Sequence, residues 1–529
     1  MKRKYRALDI VLVAALVLMT VIYMAKYINF SAVPFEDAAM IMRYADNVAC
    51  GHGIVWNIGE KPVDGATDFL FMMLTAGLVK AGLPAVSAVR LIVIVSHLLL
   101  VVFVYVAMRR LHLIHPILAF ISSAFLAAGY AIRYIEAYFG TPFFALFSGI
   151  TWYFAHGVLD EPNNKSAAGM FALSGLILGL IRPEGVFLFV FMVIGIILAN
   201  GIYASLRGLL PALLLYSALG GAYFVWHWHY FGFPLPNPFY VKGGGVIHVT
   251  GFVGSVSNVV SMTAPFLALI LSGYYFSINA RYVRFAVIPI AGFTLLWGLL
   301  SNEMNYYMRF QYPLLPIALM SWPGLYRKAG QIQEHPLNMK LILAAMTALL
   351  CLIIYQHRNN ASPKNRDGRY DAAVMLGKFA NKNYVMVTTE AGLLPYFSRW
   401  KAIDAWGLND RWIAHNGTIT DSYLAGCKPQ LIIFHAYFSP LTAQKLTGAW
   451  FTKWSAMTET LKNYAERNKY ILAASFGDSP YDTHYYFVSR DFPESDEIVK
   501  NIRGMDYYWA ETGRRSLNFA FYEKDFNGK

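Results

Sequence analysis

A succession of apolar windows, each near the length that crosses a bilayer, limits what this chain can fold into more than any other feature. The windows fall at 7–27, 67–83, 85–107, 113–131, 141–158, 167–181, 185–201, 208–230, 258–277, 285–300, 311–326 and 339–355. A hydrocarbon core about 30 Å thick takes roughly 20 residues of helix, because each backbone polar group must find its partner inside the segment. The expected fold is therefore a polytopic α-helical membrane protein. Composition agrees, with 57% of the 529 residues hydrophobic and only 14% charged. A net charge of +13 would suggest nucleic acid for a soluble protein. Here many cations sit at window ends and in short loops, so the expected partner is membrane lipid and no nucleic acid. The first window follows MKRKYR without a small-residue cleavage site, which reads as an anchor. Cys50, Cys351 and Cys427 are too scattered for a disulfide framework or a metal cluster.

Basic residues orient the windows. Arg109, Arg110, Arg207, Arg281, Arg284, Arg327 and Lys328 belong with the N-terminal cluster on the cytoplasmic side. The 132–141 loop, Arg182 to Gly185, the 230–250 loop and Ser301 to Gln311 then fall on the outer side, with the C-terminal part. Parity fails once, because 67–83 and 85–107 cannot both cross. Either 67–83, short and carrying Lys80, is re-entrant, or the Arg109–Arg110 turn breaks the rule. About eleven full spans are expected. From about Gln356 the composition becomes that of a soluble domain. Strand-like runs at 384–388, 431–434, 470–474 and 485–488 alternate with helical patterns around 368–381, 440–466 and 494–502. The chain divides into a membrane domain, 1–355, with an outer loop at 29–68, and an α/β domain, 356–529.

The polar stretch Val33–Leu70 carries the leading candidates. Glu36 and Asp37 follow Pro34 in the first turn of an expected helix. At about 100° per residue, Glu36, Arg43, Asp46 and Asn47 share one arc, opposite Ile41, Met42, Tyr44, Ala45 and Val48. That pattern suits a helix lying along a membrane surface. Asp37 breaks it by falling on the apolar side. Such a carboxylate either caps the helix and complements its dipole or serves a function. Three outer turns add cations among aromatics and helix breakers. They are Ile181-Arg182-Pro183-Glu184-Gly185, the run Trp226 to Gly245 with Asn237 and Lys242, and Asn302 to Pro313 with Glu303 and Arg309. Each also suits plain interfacial anchoring. His227 and His229 diverge on a helix, so no metal site is expected there. Together these segments place acids and cations on one aqueous face beside lipid. Cations could stabilise a phosphate leaving group, and an acid could take the proton of an attacking hydroxyl.

The segments in order resemble a known family. Glu36-Asp37-Ala38-Ala39, Arg43-Tyr44-Ala45-Asp46-Asn47, Gly51-His52-Gly53, Asn57-Ile58-Gly59-Glu60 and Asp64-Gly65-Ala66-Thr67 resemble the first periplasmic loop of GT-C glycosyltransferases. They are most like the polyprenyl-phosphate-dependent enzymes that add terminal β-linked arabinofuranose in the mycobacterial cell wall. The likeness continues through Glu136 to Pro142, Arg182 to Gly185, Leu235 to Lys242, Thr389 to Gly392, Tyr396 to Ser398 and Ile403 to Asp410. It implies a GT-C fold, a polyprenyl-phosphate-linked sugar as donor, a glycan or glycolipid acceptor, and inversion at the anomeric carbon. It also implies a bacterial inner membrane protein with its active site and C-terminal domain in the periplasm. The positions carried over are Asp37 as general base with Glu36 beside it, and Arg182 and Lys242 as donor-phosphate ligands, to which the outer turn 302–313 adds Arg309. Arg43, Glu184, Asn237, His52 and Asp64 follow as substrate-binding residues. The family has Glu-Gly-Tyr-Thr where this chain has Asp64 to Thr67, and Gly-Met-Glu-Thr where it has Tyr138-Phe139-Gly140-Thr141. These departures leave the sugar and acceptor open. Relatives of this kind include enzymes with and without a divalent metal, and no ligand set stands out in the sequence.

The expected function is transfer of a sugar from polyprenyl phosphate to a cell-envelope glycan or lipid. A transporter or flippase of lipid-linked glycans would share the basic, aromatic cavity without a base. It would be expected to show paired broken helices in the two halves, and no such symmetry is visible. A non-catalytic anchor for a glycan-binding domain would leave Asp37 and the outer cations unexplained.

Overall fold

Where apolar runs reach spanning length, helices form and pack side by side, since intrahelical bonds satisfy the backbone wherever water is absent. The computed structural model describes residues 6–275, 279–326, 366–443 and 449–521, with isolated positions between 344 and 355. In chain order the helices are α1 (Arg6–Tyr27), α2 (Glu36–Ala49), α3 (Phe69–Lys80), α4 (Ala85–His112), α5 (Pro116–Ala127), α6 (Ala131–Glu136) and α7 (Thr141–Asp160). There follow α8 (Lys165–Ile181), α9 (Glu184–Asn200), α10 (Ile202–Phe231), α11 (Asn237–Val241), α12 (Val249–Tyr275), α13 (Ala280–Leu300) and α14 (Leu314–Ser321). Among the described residues, six helical stretches are long and apolar enough to cross a membrane, and five shorter apolar helices accompany them. The window 339–355 and the junction at 355/356 lie largely outside the described residues.

Helix α3 settles the parity conflict. Its twelve residues reach only about 18 Å, too short for a bilayer core of about 30 Å. It packs against α2, α4 and α8 instead. Helices α1 and α4 then run in opposite directions. Near the start of α1, Asp9 accepts hydrogen bonds from Arg109 Nε at 2.6 Å and Tyr105 Oη at 2.8 Å, both from the far end of α4. At the other end, Arg90 Nη2 reaches Phe30 O at 2.7 Å. Arg109 therefore sits at the opposite end of the helix layer from the first loop.

The C-terminal part is a six-stranded mixed sheet in the order β2-β1-β3-β5-β4-β6. The strands are β1 (Val385–Thr388), β2 (Lys401–Asp404), β3 (Leu431–Ala436), β4 (Ile471–Ser479), β5 (Asp482–Val488) and β6 (Leu517–Asn518). Strands β2, β1 and β3 are parallel, and β5, β4 and β6 continue antiparallel. The central runs are apolar without alternation because both faces are covered. Leu431 and Ile433 pack toward the helices 368–376 and 495–503, whereas Ile432 and Phe434 pack toward the helix 449–467. Strands β2 and β6 are absent from the sequence expectation, because β2 is a short run with a charge at each end, Lys401 and Asp404, and β6 is only two residues long.

Helix α2 departs from the surface-lying helix expected. Its polar arc faces the C-terminal part and not water. Arg43 donates to Pro395 O and Trp400 O, and Asp46 accepts from Tyr396 Oη at 3.1 Å. Tyr44 and Trp56 share a core with Ala372, Trp400 and Met386. The loop beyond α2 also closes the free edge of β2. The Asn57 amide accepts from Ala402 N and donates to Ala402 O, both at 3.0 Å, while Trp56 Nε1 donates to the same carbonyl at 2.9 Å. A side chain thus fills the place of a neighbouring strand on an edge otherwise open to mispairing.

Candidate active site

Asp37 stands at the start of α2, where a cluster of charge converges from three separate loops. Arg309, 9% exposed, donates through Nη2 to Asp37 Oδ2 and to Met304 O. Its guanidinium lies 4.2 Å over the Phe139 ring, and its Nε is buried without a partner among the described residues. Arg182 belongs to the same cluster. Nη1 donates to Asp68 at 2.6 Å, and Nε and Nη2 donate to Glu184 at 3.3 and 3.2 Å. One N–H on each terminal nitrogen is left over. The turn that places it needs Gly185, whose added Cβ would lie 2.3 Å from Leu178 O. Lys242 follows α11 and completes the set. It makes no side-chain hydrogen bond or ion pair among the described residues, yet interacts electrostatically with Asp37, Arg309, Glu303 and Arg182. Burial works to raise the pKa of Asp37, but Arg309, Lys242 and Arg182 together hold it below the ordinary carboxylate value. Its side chain remains 33% exposed.

That exposure opens on a cavity of about 610 Å³ between the first loop and the C-terminal sheet. The sheet explains its position. Strand β1 lies between β2 and β3, and the chain leaves it in one direction and returns on the other side. Ligand crevices form outside the carboxyl ends of parallel strands at such a switch point. Glu390 follows β1, Trp406 follows β2 and Tyr437 follows β3, and all three line the cavity. Trp454 and Trp509 add aromatic surface, and Phe35, Glu303 and Tyr306 form the membrane-side wall. The loop carrying Glu303 and Arg309 holds Ser301, Met304, Tyr307 and Met308 at φ of 65°, 59°, 57° and 60°. Such left-handed non-glycine residues cost about 1–3 kcal/mol each and gather where function demands a fixed geometry.

The other residues singled out from the sequence lie in several places. Glu36 lines the same cavity, but its carboxylate is tied to the sheet domain. It accepts from Gly392 N at 2.6 Å and Leu393 N at 3.0 Å, and lies 3.5 Å from Arg369. Gly392 must be glycine for this approach, since a Cβ would meet Glu36 O at 2.1 Å. Arg43 does not reach the cavity, because its N–H groups go to Trp56, Asn57, Pro395 and Trp400. His52 is exposed and does not line the cavity. Asp64 Oδ2 lies 2.7 Å from His227 Nε2 and takes no part in the charge cluster. Asn237 donates its backbone N–H to Asp64 O at 3.0 Å, and its buried Nδ2 has no partner among the described residues. His227 is buried and His229 exposed on opposite faces of α10. Asp68, Arg369 and the histidines of the sheet were missed from the sequence. Asp68 alone left a signal, as an acid at the start of an apolar run.

Burial and the neighbouring Glu390 and Asp367 push the Glu36 pKa up to about 8, against the pull of Arg369. A carboxyl raised in the folded state contributes stability that is complete below its unfolded pKa and lost as pH climbs through the folded one. Apparent melting temperature in detergent should therefore fall between about pH 5 and 8. Glu36→Gln, which keeps an acceptor for Gly392 and Leu393, should flatten that fall; an unchanged slope would remove Glu36 as its source.

A family described as a domain of unknown function, DUF8728, matches residues 356–491. No curated protein matches the sequence. Among solved structures, the chain is similar to the archaeal oligosaccharyltransferase AglB from Archaeoglobus fulgidus in complex with an inhibitory peptide and a dolichol-phosphate. The TM-score is 0.52 at 11% identity, covering 93% of this chain and 75% of that one. Similarity extends to ArnT from Cupriavidus metallidurans in the apo state, with TM-score 0.49, 13% identity, and 90% and 97% of the two chains covered. It also extends to the arabinofuranosyltransferase AftD from Mycobacteria, with TM-score 0.47, 12% identity, and 92% and 40% covered. The likeness to AglB shows the fold: this is a multi-pass helical membrane protein of GT-C architecture with a C-terminal α/β unit.

Proposed function

We propose that the protein is an inverting glycosyltransferase that takes a sugar from a polyprenyl-phosphate donor. The acceptor is a cell-envelope glycan or glycolipid on the periplasmic face of a bacterial inner membrane. One observation carries the reading. Around Asp37, and among the described residues, Arg309 keeps a buried Nε without a partner, Lys242 an ammonium with no hydrogen bond or ion pair, and Arg182 spare N–H groups beyond those held by Asp68 and Glu184. Buried donors left this way call for an anion. A phosphate monoester or diester supplies several acceptor oxygens and negative charge at one point.

The wider setting supports a lipid carrier. A second cavity of about 400 Å³, mostly apolar, runs beside the Arg182 turn between α8, α9 and α10. Leu176, Phe187, Tyr216, Phe224 and Leu235 line it, as an isoprenoid chain would need. AglB, of similar fold, was solved with a dolichol-phosphate. Trp406, Trp454, Trp509 and Tyr437 on the sheet side offer flat apolar faces with polar edges, suited to an acceptor sugar.

In the reaction, the acceptor hydroxyl oxygen attacks the anomeric carbon from the face opposite the phosphate. Its proton passes to Asp37 as the new C–O bond forms. The bond from the anomeric carbon to the phosphate oxygen breaks, and the lipid phosphate leaves with the electron pair. Lys242 and Arg309 bind the growing charge, and Arg182 adds its field. Asp37 is ionised for this role because the same cations keep it so.

The test is to offer the reconstituted protein a panel of polyprenyl-phosphate sugars and measure lipid-phosphate release and the product's anomeric configuration. Release with inversion supports the reading. Movement of sugar-lipid across the bilayer without any covalent product would replace it with a flippase.

A further inference from the structure

Opposite Asp37, the sheet wall of the cavity gathers Glu390, His435 and His484, and we propose that these three residues hold a divalent transition-metal ion of the zinc class. The inference is independent of the glycosyl-transfer reading. Glu390 comes from the loop after β1, His435 from β3 and His484 from β5. His435 and His484 are paired residues across the antiparallel ladder, so their side chains rise from one face as direct neighbours. Thr389 Oγ1 accepts from His435 N at 2.8 Å and fixes the Glu390 loop against that strand. One candidate ligand atom from each residue lies within 4.8 Å of the others. Zinc with bonds of about 2.0–2.2 Å sets tetrahedral ligands roughly 3.3 Å apart. Side-chain rotation of about 1.5 Å or less into the open cavity closes the difference.

The outer nitrogens of both rings are already engaged. His435 Nε2 meets Asp482 Oδ1 at 2.5 Å, and His484 Nδ1 meets the Tyr507 hydroxyl at 2.7 Å. That leaves His435 Nδ1 and His484 Nε2 without hydrogen bonds among the described residues. Metal-binding histidines are held this way, with a carboxylate or another polar group on the far nitrogen setting the ring. Trp509 stacks on His484 with centroids 4.5 Å apart and prevents it from swinging away. Glu390 gives Oε2 to Arg369 at 2.7 Å, leaving Oε1 with only a 3.4 Å contact to Thr389.

The surrounding charge favours a cation. Arg369 faces Glu36, Asp367 and Glu390 together, and Asp482 stands behind His435 while Glu511 lines the cavity. Leaving Glu36 aside, four acids thus outnumber one guanidinium. Two histidines and one carboxylate leave a fourth position open, and a closed structural site would fill it. Here it faces the cavity, where an oxygen of the occupant can take it.

The experiment uses the untagged full-length protein in detergent, stripped with chelator and titrated with zinc chloride alone. Bound metal is counted by atomic emission. Cobalt(II) chloride gives a second reading through the visible absorption of tetrahedral cobalt. One equivalent is expected, lost in His435→Gln/His484→Gln and retained in His52→Gln/His229→Gln. Asp482→Asn, which only frees the far nitrogen of His435, should weaken zinc binding by about 10–100-fold. If the double variant does not fold, Glu390→Gln with the cobalt spectrum stands in for it and should abolish the tetrahedral band. Zinc left unbound at micromolar protein, or an equivalent unaffected by the sheet variants, would overturn the site.

Discussion

Asp37→Asn is expected to lower turnover by about 10²–10⁴-fold, the usual worth of a general base, while lipid phosphate binds at least as tightly as before. The two effects separate because Asp37 does two things. Its carboxylate accepts the acceptor's proton, and it also occupies Arg309 Nη2, which the donor phosphate needs. Asparagine fills the same space, keeps an oxygen for Arg309 and gives up the negative charge. Inhibition by free polyprenyl phosphate should therefore be unchanged or stronger as kcat collapses. A merely structural carboxylate would behave differently. Losing it would leave Arg309 without its counter-charge, lowering the melting temperature and donor binding together. Undiminished turnover in Asp37→Asn removes the acid from the chemistry.

Lys242→Met is expected to reduce kcat/KM for the lipid donor by about 10–150-fold without a matching loss of stability. The magnitude follows from a hydrogen bond to a charged group, about 1.5–3 kcal/mol, at about 1.4 kcal/mol per tenfold. The stability arm follows from the structure. Lys242 has no hydrogen bond or ion pair among the described residues, so removing its ammonium strands no buried partner. Burial, with Arg309 and Arg182, holds its pKa below the ordinary lysine value against the opposing pull of Asp37 and Glu303. Methionine preserves the packing of its stem. Arg182 is the contrast: taking it away leaves Asp68 and Glu184 facing each other unpaired, and stability should suffer with activity. A Lys242→Met variant with wild-type kcat/KM would place the donor phosphate elsewhere.

The residues that converge on Asp37 could be nominated from the chain because each sits in a local break. Arg182 lies at a proline turn, Lys242 before three glycines and Arg309 in a polar stretch ahead of an apolar helix. Breakers and cations beside apolar runs leave a signature in one dimension. Arg43 misled for the same reason: a cation on a polar helix face looks available until another chain segment brings carbonyls to it. The cavity's sheet wall left no such trace. Glu390, His435 and His484 are widely separated in sequence, and only the strand order 2-1-3-5 makes them neighbours. A single His in an apolar strand has no local pattern to betray its partner.

From the chain alone it followed that apolar helices enter a membrane, that an α/β unit comes after them, and which loops carry charge. Those outcomes depend on hydrophobic length and period, which are local. The tertiary structure alone decided that α3 stops short of crossing, that the polar arc of α2 is sealed by the sheet domain, and that acids and histidines from β1, β3 and β5 face Asp37. Each of these is a meeting of surfaces far apart along the chain. Their free energy depends on what covers a polar group rather than on the group itself.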